Sequence, residues 1–516
     1  MGWIAFVVCL AYINCMAARI ASADRDFFAA LADVVFGNPF SAERAALVVR
    51  LAPSAKLGDL TQDPEVLARL VAPRLQPWLA KELSAEDRQL VEPALLYVWY
   101  HRHVAKIDAL IERQARQSGA PLPVPFADEV IGDLMRSGFS EEAAGRYLAL
   151  FFQLRRAFYF ILRSLAGECE SMRKLRESLW NNVFTHDMRG YDAALWNRME
   201  DFSTLLLGET GTGKGQAAAA IGRSGFIPYL PAERRFAENF TETFIATNLS
   251  QFPEDLIESE LFGHRKGAFT GAIDHHQGVF ERCSAHGALF LDEIGEVSIP
   301  VQIKLLQVLQ ERTFTPVGGR ERKRFPGRVV AATNQPLDRL RSEGRFRNDF
   351  FYRLCSDVIE MPTLRQRLFE SSAEIDELVR LLVARITGAE VSDLVGRVLE
   401  QLEASVPKDY LWPGNVRELE QAVRRILLTG RYVPETARAG GDEDQRFVDQ
   451  LRAGALTASE LLARYSAMLH RRLGTYADVA KRTGLDPRTT RKYIEGARNG
   501  SWPVRAAAQC SHGSNR

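Results

Sequence analysis

Residues able to bind a polyphosphate follow the apolar segment 204–207 of this 516-residue chain. Glycines let a tight turn aim its backbone N–H groups at one anion, and the helix predicted for 216–221 adds the positive end of its dipole. Lys214 would then reach the outer phosphates. The pattern predicts a phosphate-binding loop, and the alternative is a plain glycine-rich turn. The predicted loop is Gly208, Glu209, Thr210, Gly211, Thr212, Gly213, Lys214 and Gly215.

Two adjacent acids, Asp292 and Glu293, directly follow another apolar segment, 288–291. Phosphoryl transfer requires charge stabilisation and a positioned nucleophile more than covalent chemistry. Asp292 is therefore predicted to hold Mg²⁺, and Glu293 to polarise the attacking water. A pair of acids after a strand is not specific by itself. Downstream of a phosphate-binding loop, it predicts ATP hydrolysis.

The elements that would position these residues are apolar segments at 204–207, 243–247, 288–291, 329–332 and 357–360. Helix-like stretches separate them, which is typical of a parallel sheet covered on both faces. In such α/β folds, ligands bind at the carboxyl ends of the strands. The sequence thus predicts an α/β domain with its site at that edge.

Composition limits the other functions. A formal net charge of +1 means that any nucleic-acid binding must be local. The six cysteines are scattered without a C-x-x-C pair, so we expect a reduced compartment and no structural metal. Residues 2–22 superficially resemble a secretion signal, but no Lys or Arg precedes the apolar run and Asn14 interrupts it. A signal or anchor and a true start at Met16 are the two alternatives, and we expect a cytoplasmic protein without a membrane partner.

Residues 1–164 are predicted to form a helical regulatory domain whose signal the sequence does not name. Ser140 is expected to start a long helix on which apolar residues repeat at intervals of four and three. Such a seam either pairs helices between subunits or, more commonly, packs in the core of its own chain. The seam consists of Tyr147, Phe151, Leu154, Phe158, Ile161 and Leu165.

The C-terminal segment 457–516 is a predicted helix-turn-helix, with Thr457 and Thr475 as N-caps and a turn at Gly484. Between 464 and 498 there are nine basic and three acidic residues, a local charge of +6. The last helix is expected to enter a major groove of duplex DNA, the alternative being a solvated basic helix pair. The predicted contacts are Arg488, Thr489, Thr490, Arg491 and Lys492.

Several further motifs resemble one known family, the AAA+ transcriptional activators that act on RNA polymerase carrying the sigma-54 factor, also called bacterial enhancer-binding proteins. The six-residue GAFTGA run is close to exclusive to this family, and the resemblance covers roughly residues 165–430. The motifs are 258–264 (ESELFGH), Gly267-Ala268-Phe269-Thr270-Gly271-Ala272, 287–296, 331–334 (AATN), 346–354 (FRNDFFYRL) and 412–419 (WPGNVREL).

The resemblance implies an AAA+ ATPase that uses ATP and Mg²⁺ and associates with itself into a ring. It implies an α/β subdomain at 165–362 and a helical lid at 363–432. The run 434–445, which contains Gly440-Gly441-Asp442-Glu443-Asp444, predicts an exposed linker, placed at 433–456, before the DNA-binding domain. The partners would be the sigma-54 factor, RNA polymerase and upstream duplex DNA. The GAFTGA run, Gly267 to Ala272, would contact sigma-54.

The resemblance also assigns roles to single residues. Asn248 is similar to the switch that holds Glu293 away from water, and Asn334 to the sensor of the γ-phosphate. Arg347 and Arg353 resemble arginine fingers that enter a neighbouring subunit's site. Arg417 is similar to the lid sensor that closes on bound nucleotide.

Two departures from the family pattern stand out. Gly215 replaces the acidic residue that usually follows the loop lysine, so metal binding would rest on Asp292, phosphate oxygens and water, and weak ATPase activity is one expectation. The stretch 181–201 is insertion-like. The sequence thus predicts an ATP-driven activator of sigma-54 transcription. The alternatives are another AAA+ remodeller and a DNA-binding regulator with weak or lost ATPase activity.

Overall fold

The computed structural model describes residues 20–52, 65–79, 83–389, 391–407, 410–434, 447–448, 450–451 and 456–499. Nearly all of the signal-like stretch 2–22 and of the predicted exposed linker 434–445 lies outside these residues. The chain divides into two compact units, Met1–Tyr432 and Val433–Arg516. Among the described helices, none combines the length and the apolar character that crossing a membrane requires.

A five-stranded parallel sheet in the order β4-β5-β8-β1-β9 forms the centre of the first unit. Its strands coincide with the five predicted apolar segments to within one residue at either end, which confirms the predicted α/β fold. Two short antiparallel pairs, β2-β3 and β6-β7, lie outside the sheet. The strands are β1 (Thr204–Leu207), β2 (Tyr229–Leu230), β3 (Arg235–Phe236), β4 (Phe244–Asn248), β5 (Ala288–Asp292), β6 (Thr313–Phe314), β7 (Lys323–Arg324), β8 (Arg328–Thr333) and β9 (Asp357–Glu360).

The three central strands, β5, β8 and β1, are buried on both faces of the sheet. Successive residues of a strand point to opposite sides, so each strand contributes to two cores. Leu205 belongs to one hydrophobic core and its neighbour Leu206 to another. The first face also carries Leu289, Leu291, Val329 and Ala331. The second carries Phe290, Val330, Ala332 and Ile359. The near-continuous apolar strands seen in the sequence follow from this two-sided burial.

In the described part of the chain, seven helices of ten or more residues precede the sheet. The sixth begins after Ser140, whose side chain accepts the Ala143 N–H, as predicted. Its apolar seam lies within the chain's own core: Tyr147, Phe151 and Ile161 are at most 4% exposed. The helices are α1 (Ser22–Phe36), α2 (Ala42–Leu51), α3 (Glu65–Leu75), α4 (Ala85–Ala115), α5 (Ala127–Arg136), α6 (Glu141–Ser164) and α7 (Glu170–Phe184).

Six helices flank the sheet and four more form a separate small core that begins at Leu364. The insertion-like stretch folds as three short helical turns at Met188–Gly190, Tyr191–Leu195 and Met199–Asp201. The flanking helices are α8 (Lys214–Gly222), α9 (Glu254–Phe262), α10 (Val279–Arg282), α11 (Ile299–Glu311), α12 (Leu337–Ser342) and α13 (Asn348–Leu354). The small core is built from α14 (Leu364–Glu370), α15 (Glu374–Thr387), α16 (Ser392–Ser405) and α17 (Asn415–Thr429).

Three helices between residues 458 and 499 of the second unit pack on one another. They are α18 (Ala458–Leu473), α19 (Tyr476–Thr483) and α20 (Pro487–Asn499). Thr457 caps the first of them in a capping box with Glu460, and Thr475 caps the second. Gly484 takes a left-handed conformation after α19, with φ at 71°. The predicted helix, turn and helix are therefore all present.

Candidate functional site

The glycine-rich loop joins β1 to α8, so the sheet delivers it to the carboxyl edge. Gly211 cannot be replaced there without rearrangement. Its φ is +83°, and a Cβ atom on it would lie 2.2 Å from the carbonyl oxygen of Gly414. The Val416 N–H donates to the Gly211 carbonyl at 3.1 Å, so the lid contacts the loop directly.

Lys214 opens α8 and is almost completely buried, with 7% exposure. Its Nζ donates to the carbonyl oxygens of Gly208 at 2.8 Å and Glu209 at 3.1 Å, which holds the ammonium inside the loop. Burial lowers the pKa of Lys214, while the carboxylates of Glu293 and Asp292 act in the opposite direction. The side chain is thus a buried cation at the positive end of a helix, a site suited to an anionic ligand.

Asp292 and Glu293 stand at the end of β5. Asp292 Oδ1 accepts the Glu293 N–H at 3.0 Å, and Glu293 itself takes a left-handed conformation with φ at 57°. That conformation costs a non-glycine residue on the order of 1–3 kcal/mol, and such strain clusters at functional sites.

The Glu293 carboxylate is held ready to accept a proton. Its Oε2 is buried and has no hydrogen-bond partner among the residues that the structure describes. Burial, reinforced by the neighbouring charge of Asp292, raises the pKa of Glu293. A carboxylate with raised pKa and one unused acceptor atom has the properties of a general base.

Asn248 ends β4 and Asn334 directly follows β8, the two strands on either side of β5. Asn334 Nδ2 donates to Thr210 Oγ1 at 2.8 Å, so this side chain touches the phosphate-binding loop. Asn248 pairs in register with Asp292. Its Oδ1 accepts hydrogen bonds from Ser250, from N–H at 3.0 Å and from Oγ at 2.8 Å. Restraint of Glu293 would require Asn248 Nδ2 to donate to the Glu293 carboxylate, whose Oε2 has no hydrogen-bond partner among the described residues. The switch role of Asn248 stays a prediction.

The lid is attached to the loop by two side chains that the sequence analysis did not single out. Asn415 is fully buried, and its Nδ2 donates to Glu209 Oε2 and to the Thr210 carbonyl, both at 3.1 Å. Arg365 forms a two-pronged ion pair with Glu209, one contact being 2.8 Å, and this hydrogen bonding lowers the pKa of Glu209. Asn415 lies inside the 412–419 motif, and that motif is the sequence signal that could have identified it. Glu209 thus joins loop to lid.

A cavity of about 420 Å³ connects these groups, a volume in the usual range for small-ligand sites. Its polar wall is formed by Ser164, Thr210, Gly211, Thr212, Gly213, Lys214, Gly215, Gln216, Asn248, Asp292, Glu293, Arg367, Arg385, Arg417 and Glu420. Its apolar wall, which the sequence analysis missed, is formed by Leu165, Ala166, Met172, Leu378, Leu381, Leu382 and Val416. A cationic end and an apolar end suit a nucleotide, with phosphates at the loop and the base against the leucines.

The residues also fit a magnesium ion, which prefers oxygen ligands and keeps several waters. Asp292 lies on the cavity wall, and within the described part of the chain it forms no ion pair. At Gly215, a Cβ would meet only Phe290, at 3.9 Å. A longer side chain therefore has space there, but the glycine offers no ligand, so a metal ion here would depend on Asp292, phosphate oxygens and water.

The two predicted arginine fingers lie outside the cavity of their own chain. Arg347 pairs with Asp349 at 2.6 Å and its side chain is 39% exposed. Arg353 is half-buried on α13, and its Nε and Nη2 donate to the Leu309 carbonyl at 2.9 and 2.7 Å. Neither guanidinium lines the site formed by Lys214 and Glu293.

The GAFTGA segment forms a compact turn on the surface. Gly267 and Gly271 have φ values of +79° and +102°, and a Cβ on either would meet nothing within 4 Å. Thr270 is exposed and Phe269 is 37% exposed, its ring edge-on to His264 at 4.9 Å between centroids. Ala272 corrects one part of the prediction. It is only 6% exposed and its N–H donates to the Phe269 carbonyl, so it closes the turn instead of presenting a contact.

On the last helix, Arg488, Arg491 and Lys492 are exposed, and Arg491 pairs with Glu495 at 2.7 Å. Thr489 is half-buried and bonds to the Asp486 side chain, which caps the helix. Thr490 was predicted to contact DNA, and this is wrong. Its exposure is 0% and its hydroxyl donates to the Asp486 carbonyl at 3.0 Å, so it packs inside the three-helix unit.

Comparison with known proteins agrees with the geometry. A family model for the sigma-54 interaction domain matches residues 191–360. The chain is similar to the DNA-binding transcriptional regulator NtrC of Rhizobium meliloti (strain 1021), at 38% identity over 295 residues and 56% of each chain. It is also similar to the regulatory protein AtoC of Escherichia coli (strain K12), at 33% identity over 337 residues, covering 62% of this chain and 68% of AtoC. The chain spans about half the length of the first curated relatives it matches.

A solved structure gives a weaker match. The crystal structure of NtrX from Brucella abortus in complex with ADP is 21% identical, with a TM-score of 0.38 over 72% of this chain and 80% of that one. A score this low does not establish a common overall arrangement. The sequence relatives and the matched domain therefore carry the comparison.

Proposed function

We propose that this chain, which belongs to the family of sigma-54-dependent transcriptional activators, acts in the cytoplasm by hydrolysing ATP to convert sigma-54 RNA polymerase from a closed to an open promoter complex. The observation that supports this most strongly is the convergence of the loop, the adjacent acids and Arg417 on one cavity. The exposed Phe269 turn supplies a separate contact for the target.

The mechanism assigned to the chain's own residues follows from their geometry. Lys214 binds the phosphates, with the N–H groups of the loop and of the first turn of α8. Asp292 would hold Mg²⁺, which would supply positive charge to neutralise the phosphates. Glu293 accepts the proton of the attacking water, for which its raised pKa is suitable. Asn334, bonded to Thr210, orients the loop beside the terminal phosphate.

Self-association into a ring is part of the proposal. Arg347 and Arg353, the two residues that resemble arginine fingers, lie outside the cavity of their own chain. The arginines in its wall, Arg367, Arg385 and Arg417, all come from the small helical core. Arg347 and Arg353 lie on or beside α13, which also exposes Tyr352 at 70%. A second copy that covers this surface would bring the two guanidinium groups to the neighbouring nucleotide.

Replacing Phe269 by alanine should abolish sigma-54 capture and open-complex formation while most basal ATPase activity remains. The reason is that Phe269 and Thr270 are exposed on a turn that contributes nothing to the cavity wall. The assay traps purified sigma-54 on the protein with ADP and aluminium fluoride, and scores promoter opening separately. Phe369→Ala is the matched control, since that ring is 93% exposed on α14. A Phe269→Ala protein that captures sigma-54 like its parent would refute the assignment of the turn.

Duplex DNA is the proposed ligand of the second unit, and α20 the proposed reading helix. Arg488→Ala and Arg491→Ala should each weaken specific binding by about 1–3 kcal/mol where the residue reads a base. A residue that contacts only phosphate should instead lower affinity for all sequences and reduce the salt slope by about one. Arg339→Ala is the control, because Arg339 pairs with Glu343 four residues on, just as Arg491 pairs with Glu495. Unchanged binding to every DNA tested would exclude this role for α20.

Each of the two alternative functions is distinguished from the proposed one by a different observation. Another kind of AAA+ remodeller is disfavoured by the sigma-54 interaction domain that matches residues 191–360. A DNA-binding regulator with a decayed ATPase is suggested only by Gly215, whereas Lys214, Asp292 and Glu293 all lie in the cavity wall. A direct ATPase measurement on the full chain distinguishes that alternative from the proposed function.

A further inference from the structure

The helix that carries the apolar seam, α6, holds the far end of the helix that begins at Lys214. Arg156 on α6 donates from its two terminal nitrogens to the carbonyl oxygens of Arg223 and Gly225, each at 2.6 Å. Gln153, one turn earlier, donates to the Ser224 carbonyl at 3.0 Å. Three successive carbonyls directly after α8 are therefore bound by two side chains of α6.

Arg156 is an unusual residue for this position. It is 0% exposed, and among the described residues no carboxylate forms an ion pair with it. Its guanidinium carbon lies 4.6 Å from the centre of the Phe152 ring. Burial lowers its pKa to about 9, so the group stays charged at neutral pH. A buried cation without a counter-ion is tolerated only where dipoles compensate it, and the negative end of α8 supplies them.

The other end of α6 reaches the cavity itself. Ser164, Leu165 and Ala166, at and just after its last turn, line the wall beside the loop. Leu165 is 4% exposed, and its Cδ2 would be 3.9 Å from a Cβ placed on Gly213. Arg176 Nη2 donates to the Leu165 carbonyl at 3.0 Å, which fixes this stretch in place. One helix thus touches the nucleotide cavity and the rear of the phosphate-binding helix.

We propose that α6 is a working part of the nucleotide site, in which Arg156 and Gln153 are positioning residues that hold the C-terminal end of α8 and so aim Lys214 and the loop at the phosphates. The proposal rests on the nucleotide binding proposed above and deepens it. It also gives residues before 165 a direct route to the site: any partner or signal that displaces α6 changes the affinity for nucleotide.

The test uses the full chain and four variants, Arg156→Met, Arg156→Lys, Gln153→Met and Arg155→Ala. Arg155 is the matched control because it is the adjacent residue, half-buried, and bound to Asp108 on α4 with one contact at 2.7 Å. Its loss should lower stability without reaching α8. Thermal unfolding is recorded first, and the affinity for a fluorescent ATP analogue is then measured well below every unfolding temperature. ATPase assays supply KM and kcat separately.

Arg156→Met should raise the nucleotide Kd and KM about tenfold or more, since small misplacements at a reacting centre have large effects. Gln153→Met should raise them less, and Arg156→Lys should restore part of the loss. If Arg156→Met does not fold, the Kd and KM of Gln153→Met and Arg156→Lys, compared with those of the parent, decide instead. Parent-like Kd values in the folded variants would overturn the proposal, as would an equal increase in Arg155→Ala. A parent chain that binds no nucleotide would instead overturn the proposed function, and this inference with it.

Discussion

Glu293→Gln is expected to bind ATP with the affinity of the parent and to hydrolyse almost none of it. The amide keeps the shape of the side chain but accepts no proton, so the loss in kcat should be about 10²–10⁴-fold, the usual contribution of a general base. Phosphate release measures kcat, and a fluorescent nucleotide measures binding. Glu296→Gln is the control, since Glu296 is an exposed acid three residues away. Parent-like turnover in Glu293→Gln would exclude Glu293 as the base.

The same variant should be more stable than the parent at neutral pH. Burial raises the pKa of Glu293 in the folded protein, so deprotonation works against folding. The stability linked to this group is complete below the ordinary pKa of glutamate and is lost as pH rises through the folded pKa. Glu293→Gln should therefore gain about 0.5–2 kcal/mol at pH 7, as substitutions at strained active sites often do. The gain should disappear in acid, and the parent's kcat should rise with pH over the range in which Glu293 ionises.

Loss of an arginine finger should lower the rate even further. Arg347→Ala and Arg353→Ala are each expected to reduce kcat by roughly 10³–10⁵-fold, with little change in nucleotide affinity, because neither residue lines its own cavity. Arg345→Ala is the control from the same segment, with a side chain that is 64% exposed and pairs with Glu343. Unfolding temperatures are needed for Arg353→Ala, since Arg353 also binds the Leu309 carbonyl.

Mixing two variant subunits tests whether the arginines act on a neighbouring chain or on their own. A Lys214→Ala subunit cannot hold phosphate but still offers its arginines, whereas an Arg353→Ala subunit keeps an intact loop. A mixed ring should therefore recover part of the activity that each variant lacks alone. Failure to recover activity at any mixing ratio, with assembly shown by light scattering, would contradict action across the interface.

The local features of this fold could be predicted from the sequence because each depends on a few consecutive residues. The apolar strands, the glycine-rich loop before Lys214 and the cap at Thr457 are of this kind. The positions of Asp292 and Glu293 could also be predicted, because both residues follow the end of a single strand. These residues occupy the predicted edge of the sheet.

The features that sequence reasoning missed depend on contacts between distant segments. Asn415 meets Glu209 across 206 residues, and no local pattern reveals that approach. Arg156 was an unremarked basic residue within an apolar seam until the structure placed it against Gly225. Thr490 and Ala272 were misassigned for a different reason. A run of residues was treated as one surface, although a helix or tight turn points some members of any run inward.

The hydrophobic core shared by α6 and the sheet also limits how such proteins can be recombined. That core contains Phe152 and Ile161 from α6 together with Phe290 and Ile359 from the strands. A chimaera joined at residue 165 would leave one half of this packed interior behind and import an unmatched half. The same core continues through Ile107 and Ile111 on α4 and Val130 on α5. Exchange of N-terminal segments between relatives should therefore keep α4 to α7 together with the sheet.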